Sequence, residues 1–335
     1  MIPLVPGARL PAVVCETLRG SYPTPTGRYD VAGACLWVKR DDLTHPLYGG
    51  NKVRKLEILL ADAQRAGARR IVTIGAAGSH HVLATALFGG RAGFCVEAMM
   101  LPQRRSAHVE ESLRASLAAG LVAHPARTYL GAALGGLLRV RGAYPIPMGG
   151  STVAGSMGYV AAARELESQV DRGEVPEPEL IVVTVGSGGT AAGLAAGLAT
   201  TRLKSRVLGV VVATPAFAVR ALTYALARGC ARRAGLARAS EATDRLDLTT
   251  RYLGDGYGEP TAAGDRATAL ARDVGLTLDD TYTAKSFAAA LDVAANRPAG
   301  AVLYWHTLSS APAAPLLGPG AASPGVPSGL LRLLK

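Results

Sequence analysis

LIVVTVGSGGTAAGLAAGLA, residues 180–199, decides the fold class. Leu180–Val185 is an unbroken run rich in β-branched residues, and such a run implies a strand buried on both faces, as in a parallel sheet. Gly186-Ser187-Gly188-Gly189-Thr190 then breaks the strand, and Ala191–Ala199 reads as a helix of small residues. Working outward, the pattern repeats. Ala34–Lys39 reads as a strand, and a helix starts at about Asn51 and stops at Gly67. Arg70–Gly75 is a strand with a helix after Ser79; Gly93–Leu101 is a strand with a helix over His108–Ala119. Arg206–Ala213 and Ala301–His306 are further strands. Alternating strands and helices predict an α/β protein whose parallel sheets carry helices on both sides.

The chain has 335 residues, 49% hydrophobic and 18% charged, enough for a full core and against disorder throughout. Mean hydropathy is +0.22, yet Gly, Pro or Arg interrupts every apolar stretch before the roughly 18–20 residues of a membrane-spanning helix. The N-terminal MIPLVPGARLP has no basic segment followed by an apolar one, so a cytoplasmic protein without membrane association is expected. Net charge is +11. The basic residues are dispersed and aromatics are 5%, so the surface reads as solvated and basic, not as a nucleic-acid platform. Cys15, Cys35, Cys95 and Cys230 lack paired spacing and read as reduced, mostly buried thiols; no metal site is expected. Residues from Gly318 to Lys335 are rich in Gly and Pro and read as a tail.

In an open parallel sheet, ligands bind beyond the carboxyl ends of the strands. Four loops meet that description: Gly49–Lys52, Gly75–His80, Gly186–Thr190 and His306–Ser310. The Gly186–Thr190 turn offers close backbone approach and free N–H groups for a phosphate. Taken alone, it is equally a tight strand-to-helix connection. Lys52 by itself reads as a solvated first-turn lysine. The functional alternative is an amine that forms a Schiff base, its basicity lowered by burial and nearby cations. An amine and a phosphate cradle on one sheet edge suggest pyridoxal phosphate.

Six stretches, in order along the chain, carry a resemblance. They are WVKRDDLTHPLYGGNKVRKLEILLADAQRAGA (37–68), IVTIGAAGSHHVLATA (71–86), GGSTVAGSMGYVAAARE (149–165), VTVGSGGTAAG (183–193), Tyr282-Thr283-Ala284-Lys285 and His306-Thr307. This set resembles the fold-type II family of D-cysteine desulfhydrases and 1-aminocyclopropane-1-carboxylate (ACC) deaminases. The resemblance implies a two-domain type II fold of the tryptophan synthase β kind. A large domain of residues 1–53 and 152–335 would be interrupted by a small α/β domain, 54–151. It further implies that Lys52 carries pyridoxal 5'-phosphate, and that Asn51 and Gly186, Ser187, Gly188, Gly189 and Thr190 hold its phosphate. Thr307 would face the pyridine nitrogen. Ser79 would receive the substrate carboxylate and assist proton transfer, and Tyr257 and Tyr282 would stand near cofactor and substrate. His80 takes the place of an asparagine that meets the cofactor's phenolic oxygen, and His81 completes the substrate loop. Thr283 replaces the deaminases' glutamate, which favours β-elimination over ring opening.

The chain departs from the family at Gly78, His80 and Leu308-Ser309, all in substrate-facing loops. The expectation is therefore a pyridoxal-phosphate lyase that takes the α-proton of a small amino acid and expels a β-substituent, with an altered substrate. β-Replacement, racemisation and a silent cofactor-binding regulator are the alternatives, and the family implies a homodimer. Read without the resemblance, Tyr257 and Tyr282 are ambiguous aromatics, and His80 and His81 are polar residues opening a helix. Asp41 and Asp42 would cap and salt-bridge the loop before the lysine helix, and Arg54 and Lys55 would form a solvated face.

Overall fold

A computed structural model describes residues 18, 20–311, 314–317 and 326–334. The chain divides into two compact units. One comprises Gly20–Lys55 and Ser151–Ser310; the other comprises Leu56–Gly150 with the described residues among 10–19 and 311–335.

The first unit is built on a six-stranded sheet: β1 (Thr26–Val31), β2 (Ala34–Arg40), β7 (Leu180–Val185), β8 (Arg206–Val211), β9 (Leu246–Thr249) and β10 (Val302–His306). Their order is β1-β2-β10-β7-β8-β9. β1 and β2 form an antiparallel hairpin turned at Ala32-Gly33, and every other pair is parallel. All five residues of β10 are buried, as are Ile181–Val185 of β7, which accounts for their unbroken apolar sequence. Helices α5 (Val153–Asp171), α6 (Gly189–Leu198), α7 (Ala216–Arg233), α8 (Ser240–Asp244), α9 (Ala262–Asp273) and α10 (Thr283–Ala294) complete this unit. On one side of the sheet, Leu36, Val38, Val182, Val210 and Tyr304 pack with Ala267, Ala271 and Phe287 of α9 and α10. Every residue of α6 is buried, which its Gly, Ala and Leu composition permits.

The topology places the site. β10, last in sequence, lies between β2 and β7 in parallel register, with His306 opposite Arg40 and Val302 opposite Leu180. The carboxyl ends of three adjacent strands therefore share one edge, and each is followed by one of the candidate ligand loops: Asp41–Gly50, Gly186–Gly188 and Thr307–Ser309.

The second unit holds a parallel sheet ordered β5-β4-β3-β6, made of β3 (Arg70–Ala76), β4 (Cys95–Leu101), β5 (Val122–Pro125) and β6 (Tyr144–Ile146). Its helices are α2 (His80–Arg91), α3 (Ala107–Ala118), α4 (Tyr129–Arg139) and the short α11 (Ser328–Leu331). Helix α1 (Asn51–Arg65) gives its first five residues to the first unit and the remainder to the second. Ser79 caps α2, its Oγ accepting from the Val82 N–H.

The cysteines need correction. Of the described ones Cys230 is buried, Cys35 is half-buried and Cys95 is exposed at the start of β4, so the expectation of mostly buried thiols is wrong; all three are free. Cys15, residues 1–11 and half of the tail (318–325 and 335) lie outside the described residues. Among the described residues no helix is long and apolar enough to cross a membrane, and no group of three or more His, Cys, Asp or Glu could hold a metal.

Candidate active site

The first turn of α1 gathers Asn51, Lys52, Arg54 and Lys55. Asn51 is anchored by its N–H, which donates to the Thr307 carbonyl (3.0 Å). Its side-chain Nδ2 donates to Thr190 Oγ1 (3.1 Å), and its Oδ1 accepts from Lys52 Nζ (2.7 Å). Asn51 thus ties all three loops together. Burial lowers the Lys52 ammonium to about 8, against an opposing attraction from Asp279. An amine so tuned is partly unprotonated near neutral pH, as a nucleophile toward an aldehyde requires.

The Gly186–Thr190 turn forms a cradle. Gly188 has φ +85°, and a side chain there would come within 2.4 Å of Thr223 Oγ1. A Cβ on Gly189 would lie 2.6 Å from Ser151 Oγ, 2.8 Å from Ser156 Oγ and 2.9 Å from Lys55 Nζ. Ser151 Oγ also accepts from the Gly189 N–H (3.2 Å), receives Lys55 Nζ (3.2 Å) and pairs with Ser187 Oγ (2.8 Å). Hydroxyls, an amine and the backbone at the start of α6 thus face one small space. That donor set fits a phosphate.

Lys55 and Arg54 are the residues that sequence reasoning placed wrongly. Neither lies on a solvated face: Arg54 is 1% exposed and Lys55 2%. Burial, with Lys52 adding to it, pushes the Lys55 amine well below its ordinary range. Arg54 is held by carboxylates. Its Nε and Nη2 donate to Asp41 (2.9 and 2.8 Å), and its Nη1 and Nη2 donate to Glu165 (2.9 and 3.1 Å). Lys39 Nζ completes the group on Glu165 Oε1 (2.6 Å), while Asp42 pairs with Arg40. Asp41 and Asp42 therefore do salt-bridge, as expected, although in the buried interior. The missed signal was available in part, because Lys39, Arg54, Asp41 and Glu165 all fall within the family-like segments.

The tyrosines converge. Tyr257 and Tyr282 share a hydroxyl–hydroxyl hydrogen bond, with rings edge to face at 5.8 Å. Tyr282 lies against the cradle, since a Cβ on Gly186 would stand 3.3 Å from its Cε1. Lys285, fully buried, donates from Nζ to the carbonyls of Leu253 (2.7 Å) and Gly256 (3.0 Å), which fixes the loop carrying Tyr257. The loop before α1 is further held by the Gly49 N–H, which donates to Ser309 Oγ (2.9 Å). Thr307 is 8% exposed. Lys52, Asn51, Gly186–Thr190, Tyr257, Tyr282 and Thr307 are therefore joined within one unit.

Ser79, His80 and His81 belong to the other unit. There the His81 ring is buried, with Nε2 2.8 Å from Thr73 Oγ1, and His80 Nε2 lies 3.2 Å from His108 Nε2. The Gly78 N–H preceding them donates to Gln103 Oε1 (2.9 Å).

Comparison with known proteins accords with this geometry. Residues 18–307 match the family model described as pyridoxal-phosphate dependent enzyme. The chain belongs to that family. Its cofactor is pyridoxal phosphate, and its fold is type II. It is 36% identical to a nocardicin C-9' epimerase of Nocardia uniformis subsp. tsuyamanensis, over 88% of this chain and 93% of that one. It is 35% identical to a D-cysteine desulfhydrase of Salmonella newport (strain SL254), over 83% and 88% respectively. Among solved structures, an ACC deaminase homologue superposes with a TM-score of 0.73 at 27% identity, covering 89% of this chain and 95% of that one.

Proposed function

We propose that this enzyme takes the α-proton from a small amino acid bound to pyridoxal phosphate and completes a β-elimination, releasing the β-substituent and, after hydrolysis by one water, a keto acid and ammonia. The observation that carries the reading is the Lys52 amine, lowered to about 8 and joined through Asn51 to the cradle of Ser151, Ser187, Gly189 and Thr190. Pyridoxal phosphate, when bound, supplies an electron sink for the charge that develops at the α-carbon.

In this reading the cradle and Lys55 would hold the phosphate, Thr307 would serve the ring nitrogen, and Lys52 would be both the attachment point and the base for the α-proton. The coupled hydroxyls of Tyr257 and Tyr282 supply a proton to the departing β-substituent. Substrate contacts at Ser79, His80 and His81, a homodimeric state and a cytoplasmic location are proposed from the family resemblance alone.

A second reading, epimerisation at the α-carbon, has the similarity to the nocardicin C-9' epimerase in its support. Both readings share the removal of the α-proton and part at the next step.

Borohydride reduction of the cofactor-loaded enzyme, followed by peptide mass spectrometry, should find the cofactor on Lys52, and Lys52→Ala should lose the visible absorbance. An adduct on another residue, or none, would overturn the assignment. D- and L-cysteine, O-acetylserine and ACC are then incubated in deuterated water. Pyruvate and ammonia support elimination, whereas returned substrate with deuterium at an inverted α-carbon supports epimerisation.

A further inference from the structure

Asp279 grips the start of α10 and, through it, the backbone of Tyr282. It is 8% exposed and lies four residues before the first residue of α10. Its Oδ1 accepts from the Tyr282 N–H (2.6 Å), and its Oδ2 accepts from Thr283 Oγ1 (2.7 Å) and the Thr283 N–H (3.3 Å). Its carbonyl accepts from the Ala284 N–H (2.9 Å), and its own N–H donates to Thr283 Oγ1 (2.7 Å). Tyr282 sits at the helix boundary with φ −121° and ψ −67°, outside helical geometry. The direction of its ring toward Tyr257 is set where Asp279 grips the backbone.

A cap requires only an acceptor, and serine or asparagine serves as well as aspartate. Burying a carboxylate costs far more than burying a hydroxyl. A carboxylate also gains from the positive end of the helix dipole, and its charge acts on the groups around it. Asp279 attracts the Lys52 ammonium, which also stands beside Lys55. It acts too on Lys285, which faces Asp255, Glu259 and Asp280 as well, and on Tyr48, Tyr304 and His306, the last of which also faces Arg40, Asp41 and Asp42.

We propose that Asp279 is a positioning residue of this site, fixing Tyr282, and through it the tyrosine pair, by its grip on the backbone, while its charge favours the protonated form of Lys52. The proposal deepens, and rests on, the reading of Lys52 as attachment point and base.

The test measures Lys52 in the cofactor-free full chain, by the pH dependence of its acylation with acetic anhydride read on the peptide by mass spectrometry. Asp279→Asn and Asp279→Ser both keep a capping acceptor and lose the charge. Thr283→Val keeps the charge and loses the hydroxyl that Asp279 grips. The native midpoint should lie near 8. It should fall by at least about half a pH unit in the Asn and Ser variants, roughly a threefold rise in free amine below the midpoint, and stay put in Thr283→Val. In the loaded enzyme the same two variants should lower kcat about tenfold while retaining cofactor. Unmoved midpoints and kcat in a folded Asn or Ser variant would overturn the proposal and leave Asp279 a cap. Should Asn fail to fold, Ser decides. A native enzyme lacking the Lys52 adduct would instead sink the underlying reading, whatever the midpoint does.

Discussion

Replacing Arg54 by Met tests whether the buried ion network under the lysine turn holds the first unit together. The network balances: Lys39 and Arg54 against Asp41 and Glu165, all within 4% exposure on their side chains. Arg54→Met removes four hydrogen bonds to carboxylates at 2.8–3.1 Å, and leaves two buried carboxylates facing one lysine. It also removes a guanidinium lying 4.4 Å over the Tyr22 ring. Breaking a buried pair by deleting one partner costs about 3–5 kcal/mol, because the other charge is left uncompensated. For a unit of this size that lowers the melting temperature by roughly 6–20 °C. Differential scanning calorimetry at neutral pH measures it. The double variant Arg54→Met, Glu165→Gln restores the charge balance and should recover part of the loss, a coupling that a cavity effect alone would not produce. Melting of Arg54→Met within about 2 °C of the native chain would refute the reasoning.

The same network makes stability fall in acid. Burial pushes the Glu165 carboxyl up, but the neighbouring Arg54 and Lys39 charges outweigh it and hold the group down at about 2, below its unfolded value. Its contribution is therefore complete above the unfolded carboxyl range near 4.5 and is lost as pH falls toward 2. Denaturant titrations from about pH 6 to about pH 3 should show a decline that Glu165→Gln flattens. In the cradle, Gly189→Ala should cut pyridoxal phosphate affinity ten- to a hundredfold in equilibrium dialysis, since the new methyl displaces Ser151 Oγ and Lys55 Nζ. The apo protein should meanwhile melt within a few degrees of native, because alanine favours the helix that begins there.

How much of the fold was legible in the sequence depends on how local each signal is. Leu180–Val185 is buried on both faces and therefore reads as a strand from composition alone. β1, TGRYDV, is an edge strand in which only Val31 is buried and Arg28 and Asp30 are exposed, so its composition carries little signal apart from its partner β2. β5 and β6 have four and three residues, too short for any periodicity. At the site, Lys52 and the Gly186–Thr190 turn were readable because each pairs a residue type with a strand end. Arg54 and Lys55 were not, because the groups that bury them come from Asp41, Ser151 and Glu165, the last 111 residues away. Asp279 was missed for the opposite reason. Its hydrogen bonds are all local and look like a cap, and its electrostatic reach to Lys52 exists only in three dimensions.

The first turn of α1 shows how one short segment can serve three purposes. Lys52, Arg54 and Lys55 are three cations within four residues, and on a solvated helix they would only repel one another. Here the helical rotation of about 100° per residue sends them into different surroundings. Arg54 enters a network of matched carboxylates, which keeps its charge and anchors the helix start. Lys55 meets the Ser151 hydroxyl beside the α6 N-terminus, where burial and the Lys52 charge both disfavour its ammonium. A phosphate dianion arriving there would reverse that imbalance, since it favours the charged form of Lys55. Lys52 is left at about 8 with Asp279 as its attracting charge, partly a free amine near neutral pH and still basic enough to take a proton. In the proposed function, adjacent residues thus set cofactor retention and reactivity through different physics. Variants at Arg54 should act on stability, at Gly189 on binding and at Asp279 on the basicity of the amine.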